Sequence, residues 1–229
     1  MKRNDLLLLL FVVILFLPFF ISDDVYNLYE KLNRNHGFIL SFIKFAILAT
    51  LGEVIGLRIK TGQYNAPGFG IIPRAIVWGF LGIAIKLAFI VFTSGTLDFL
   101  TYMGMDDPAA VYKADFSLQK LLIAFCISFL MNTIFAPIMM TTHKVTDIHI
   151  LNTGGTIKGL LSPIRVGHIL THLNWDVQWN FVFKKTIPFF WYPAHTLTFL
   201  LPTDFQVLFA ALLGIALGLI LAIASLKGR

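Results

Sequence analysis

Residues 75–97, AIVWGFLGIAIKLAFIVFTSGTL, decide the fold. Lys86 is the one ionisable group in the run. A helix rising about 1.5 Å per residue needs about 20 apolar residues to cross roughly 30 Å of hydrocarbon, and this run supplies them. Stretches 6–21, 38–57, 118–142, 186–203 and 205–225 share its character. The first is short, with Pro18 near its end. Pro188, Pro193 and Pro202 in 186–203 predict a segment that is kinked, tilted or re-entrant.

The rest of the chain agrees. Of 229 residues, 57% are hydrophobic and 13% charged, with a mean hydropathy of +0.80. Soluble domains carry about a quarter charged residues, so an ordinary soluble domain, a disordered tail and a disulfide-stapled secreted module are all excluded. Cys126 stands alone and cannot close an internal disulfide. The expected fold class is all-α, a polytopic membrane helical bundle of about six membrane segments. It forms one integral membrane domain over 1–229, with a signal anchor and interfacial helix in 1–37 and the main bundle in 38–229.

The net charge of +6 reflects topology rather than nucleic-acid binding, because the basic residues sit at the ends of apolar runs. With a cytoplasmic N-terminus and six crossings, Lys2, Arg3, Arg58, Lys60, Arg74, Lys144, Lys158, Arg165, Lys184, Lys185, Lys227 and Arg229 fall inside. Lys31, Arg34, Lys113 and Lys120 fall outside, together with most of the acids. This positive-inside pattern predicts both termini in the cytoplasm. Phe19-Phe20-Ile21-Ser22 offers no small-residue cleavage pair, so the first run reads as a retained anchor rather than a secretory signal. That favours a bacterial cytoplasmic membrane, with an organellar membrane as the alternative. Residues 22–37 read as an amphipathic interfacial or connecting helix. Residues 61–73 read as turn-rich, and 143–185 as the longest connection.

Ionisable groups within a span cost about 2.5–3.5 kcal/mol each on insertion scales. Lys44 is expected to snorkel outward. Glu53 and Lys86 lean toward one another from antiparallel helices, which predicts an ion pair, either lining a polar path or locking the bundle. Asn132 precedes Pro137, which frees a carbonyl near Thr133; the pair serves either a hydrated cavity or helix packing. Ala210, Gly214, Gly218 and Ala222, four apart, form a smooth packing stripe within the bundle or between copies of a homo-oligomer. His168 and His172 would share a helical face, but no carboxylate or cysteine completes a metal set at standard spacing. No Walker loop, dinucleotide fingerprint, nucleophile elbow or paired catalytic carboxylates appear. Neither enzymatic activity nor a cofactor is expected.

The ordered polar motifs resemble the Mpv-seventeen and peroxisomal membrane protein (Sym-one-like) family over about 46–225. Gly52-Glu53 is similar to that family's Gly-Asp pair at the end of a span, and Arg74 stands where its next span opens with Arg. Asn132, Phe135, Ala136 and Pro137 resemble its Gln-x-x-Phe-Ala-Pro. Trp191, His195, Thr198 and Phe199 match the spacing of its Trp…Gln…Asn-Phe, with His and Thr in place of the amides. The resemblance implies a compact helical bundle acting as a poorly selective pore for small solutes. The pore-lining candidates are Glu53, Lys86, Asn132, Trp191, His195 and Thr198. The competing class is a structural or assembly protein in which the same groups hold helices together. The partners expected are the lipid bilayer and small solutes, with no nucleic acid.

Overall fold

A computed structural model describes residues 3–227, with side chains through Ile220. Ala222 of the expected stripe lies outside the described side chains. The described chain is helical and holds no strand. In order it forms α1 (Arg3–Phe16), α2 (Pro18–Ile21), α3 (Asp23–Asn35), α4 (Gly37–Thr61), α5 (Ile71–Tyr102) and α6 (Pro108–Lys113). Then come α7 (Leu118–Asn152), α8 (Ile157–Leu160), α9 (Val166–Thr171), α10 (Trp175–Val177), a π-helix (Gln178–Trp191), α11 (Tyr192–Leu200) and α12 (Thr203–Lys227).

Among the described residues five helical stretches are long and apolar enough to cross a membrane: Arg3–Ile21, Gly37–Thr61, Ile71–Tyr102, Leu118–Asn152 and Thr203–Ile220. The protein is therefore an integral membrane protein built from apolar helices. Segment 186–203 is not one of these stretches. Its prolines fall where the backbone changes, with Pro188 inside the π-helix, Pro193 in the first turn of α11 and Pro202 just beyond its end.

The chain divides into two compact units, Met1–Leu40 and Ser41–Arg229. In the first, α1 turns its leucines outward, with Leu7, Leu10 and Ile14 all more than half exposed. Its α3 is strongly amphipathic, as expected for 22–37, and begins at Ser22, whose hydroxyl accepts from the Val25 N–H.

In the second unit α7 is the spine, packed along α11 and α5. Ile123, Ala124, Ile127, Ser128, Met131 and Asn132 follow the three- and four-residue spacing of one helical face and are all buried. Phe125, Phe129, Ile134 and Ile138 are exposed, as lipid-facing positions should be. Ser117 caps α7 by accepting from the Lys120 N–H. The helix does not stop at Thr142. No glycine or proline intervenes before Gly154, so it runs 35 residues, about 52 Å at 1.5 Å per residue. That exceeds the hydrocarbon core, and the surplus carries His143, Asp147 and His149 on helix rather than loop. The expected long connection thus begins at Thr153.

Glycines set two close approaches. A Cβ on Gly82 would lie 2.6 Å from the Ser41 carbonyl oxygen and 2.7 Å from Phe45 Cβ, so α4 and α5 meet backbone to side chain there. Gly52 faces Ile215 at 3.0 Å and Gly218 faces the Gly52 carbonyl at 3.5 Å, which puts part of the α12 stripe against α4 inside the bundle.

Candidate functional site

Arg74 organises the site. It sits in the first turn of α5 and is 8% exposed, so it is a buried cation rather than the interfacial charge expected from topology. Its Nε donates to the Phe69 carbonyl at 2.7 Å, and the guanidinium lies over the Phe69 ring, 4.4 Å from the centroid. Nη1 donates to Glu53 Oε2 at 2.5 Å and also to Asp147 Oδ1. The other Glu53 oxygen accepts from Trp78 Nε1 at 2.9 Å and from His143 Nε2 at 3.0 Å. A carboxylate cannot donate, so His143 carries its proton on Nε2. Three helices meet here: the C-terminal half of α4, the start of α5 and the extension of α7.

The expected Glu53–Lys86 pair does not form. Glu53 is committed to Arg74, Trp78 and His143, because Arg74 is buried at its own depth. Lys44 also departs from expectation: it is 7% exposed instead of snorkelling outward, with the charges of Lys86 and Asp204 within electrostatic reach.

Between these levels lies a cavity of about 510 Å³, within the size range of small-molecule sites. Four of the six sequence candidates line it: Glu53, Asn132, Trp191 and His195. Lys86 and Thr198 do not; Thr198 is fully buried and donates to the Ala194 carbonyl of its own helix. The wall in between is mostly apolar, including Phe45, Phe89, Phe135 and Met139, while Lys60 and Lys144 stand exposed at the Arg74 end. Along α4 the lining runs from Phe45 to Lys60, about 22 Å at 1.5 Å per residue. Ala210, Gly214 and Gly218 line the α12 side.

Asn132 and His195 meet at the far end. Asn132 Nδ2 donates to the Ser128 carbonyl at 2.8 Å, which leaves Oδ1 to accept from His195 Nδ1 at 3.0 Å. In the neutral imidazole this tautomer leaves Nε2 as an acceptor. The Trp191 ring lies against His195, centroids 4.9 Å apart. Around them Ser128 Oγ donates to the Tyr192 carbonyl and the Thr133 hydroxyl bonds the Tyr192 hydroxyl, each at 2.8 Å. Asn132 thus joins α7 to α11, and the residue whose carbonyl Pro137 frees contributes its side chain to the same seam.

Glu53, His143 and Asp147 present ligand atoms within 4.8 Å of one another, a spacing suited to a metal ion. Arg74 Nη1, however, already occupies oxygens of both carboxylates, and a cation there would have to displace it. His168 and His172 stack at 4.3 Å on the surface, with His172 Nδ1 bonded to the His168 carbonyl. No family model, curated protein or solved structure matches the chain.

Proposed function

We propose that the bundle forms a small-solute permeation pathway, with the cavity as its inner vestibule. The observation that carries this reading is the cavity's course. It follows about 22 Å of α4, from the Arg74 cluster at one end to the residue beside Lys44 at the other. The Glu53–Arg74–Asp147–His143 cluster sets charge preference at one end, and the Asn132–His195 pair supplies polar groups at the other. The positive-inside bias favours the cytoplasmic side for the Arg74 end, and the retained anchor favours a bacterial membrane over an organellar one. The similarity of the polar motifs to the Mpv-seventeen family supports the same reading.

Cysteine labelling tests it. In a Cys126→Ala background, Ala136→Cys on the cavity wall is expected to react with a membrane-impermeant thiol reagent, whereas fully buried Ala124→Cys is not. Equal protection of both would end the reading. The second reading, a structural or assembly protein, is favoured by the internal satisfaction of Glu53, whose two oxygens already accept three donors. Protein that copurifies with partners and supports no flux in liposomes would select it.

A further inference from the structure

The connection that follows α7 carries charge and apolar surface together, away from the cavity cluster. From Thr153 to Lys185 it holds four basic residues, Lys158, Arg165, Lys184 and Lys185, against one acid, Asp176. All four cations are exposed, and among the described residues their side chains make no ion pair or hydrogen bond. Asp176 is itself engaged, accepting from Asn180 Nδ2 at 2.6 Å. Large apolar side chains stand open in the same segments. Leu161 is 79% exposed and Trp179 54%, and Ile164, Val166, Trp175 and Val177 are exposed as well. Arg165 lies directly between Ile164 and Val166 in the chain.

Two costs fix where such a connection lies. Water would leave the apolar side chains uncovered. Hydrocarbon would charge heavily for each unpaired cation. The headgroup layer meets both demands, with apolar bodies toward the acyl chains and cationic heads toward phosphate. Tryptophan favours that layer for the same reason, its ring apolar and its N–H wet. The length of α7 agrees, since a helix longer than the hydrocarbon is thick delivers the connection to the membrane surface. Four cations against one acid leave the surface net positive, so the layer that suits it is negatively charged. We infer that the 153–185 connection is a docking surface for anionic phospholipid headgroups.

The test is titration of the full chain, in uncharged detergent micelles, with short-chain phosphatidylglycerol and phosphatidylcholine, followed by tryptophan fluorescence. Each basic residue near an anionic surface is worth about fivefold, so phosphatidylglycerol should bind at least about tenfold tighter. That preference should shrink as salt is raised. Trp175→Phe/Trp179→Phe should remove most of the fluorescence change. Lys158→Gln/Arg165→Gln/Lys184→Gln/Lys185→Gln alters only exposed side chains and should bring the two lipids within about twofold at unchanged Tm. Lys31→Gln/Lys113→Gln, which removes exposed charge elsewhere, should keep the preference. Equal affinity for the two lipids, a preference that survives the fourfold variant, or one lost equally in Lys31→Gln/Lys113→Gln overturns the inference. A fourfold variant that instead turns an oligomer into a monomer on gel filtration, with no lipid preference in the parent chain, assigns the face to a second copy and overturns it too.

Discussion

Replacing Arg74 with methionine removes the one cation between two carboxylates. Arg74 Nη1 serves Glu53 at 2.5 Å and also Asp147, and Nε serves the Phe69 carbonyl at 2.7 Å. Breaking a fully buried ion pair by deleting one partner costs about 3–5 kcal/mol. Here the Arg74, Glu53 and Asp147 side chains keep 10%, 19% and 22% of their surface open. Solvent screening from the cavity brings the cost to about 2–3 kcal/mol. A chain of this size loses about 2–4 °C per kcal/mol, so Arg74→Met should lower Tm by about 4–12 °C. The assay is thermal unfolding of detergent-purified protein followed by tryptophan fluorescence. Arg74→Met/Glu53→Gln/Asp147→Asn should recover more than half of the loss, because no uncompensated charge is left buried. Arg74→Lys should fall between, since an ammonium cannot reproduce the guanidinium's fork. If Arg74→Met melts within about 2 °C of wild type, or the triple variant is worse than the single, the cluster does not hold the helices together.

Asn132→Leu strands His195 Nδ1–H and should cost about 1–3 kcal/mol; Asn132→Leu/His195→Phe, measured in the same melts, should restore part of it. Gly82→Ala puts a methyl 2.6 Å from the Ser41 carbonyl oxygen and should sharply reduce the yield of folded protein on gel filtration. Gly95→Ala, with nothing within 4 Å, should be neutral or stabilising by up to about 1 kcal/mol. Tyr112, on the short α6, has its phenol pKa raised, first by burial, while accepting a hydrogen bond from Gln206 Nε2. The unfolded chain then ionises first, so the stability this group contributes is whole below about pH 10 and declines as pH rises toward the folded value. Tyr112→Phe should flatten that decline in Tm measured between about pH 8 and pH 11.

Helix content was legible because the bilayer demands long apolar runs, and 38–57, 75–97 and 118–142 each lie inside an observed helix. The site was half legible. Asn132 and His195 stood out as polar groups at membrane depth, but their contact spans 63 positions in the chain and no local pattern carries it. Arg74 was hidden by its place at a span end, where a basic residue already satisfies the positive-inside rule. His143 and Asp147 were hidden by hydropathy, which falls at Thr142 although the helix continues. The signal that finds them is the absence of any glycine or proline from Ile138 to Thr153, together with the four-residue spacing that puts His143 and Asp147 on one face. Glu53 stands out as costly within a span, but the lean of antiparallel helices points to Lys86, twelve residues along α5 from the partner it has, Arg74.

Gly214 offers the most direct test of a pathway through the bundle. It lines the cavity, and a Cβ placed there meets nothing within 4 Å, so a side chain can start into the void without striking a neighbouring helix. Liposome flux of small solutes is to be measured for wild type and Gly214→Trp side by side, with melting temperatures of both. The account predicts flux above empty vesicles for wild type, and its loss in Gly214→Trp at unchanged Tm. Wild-type vesicles no leakier than empty ones, or full flux through Gly214→Trp, would contradict it.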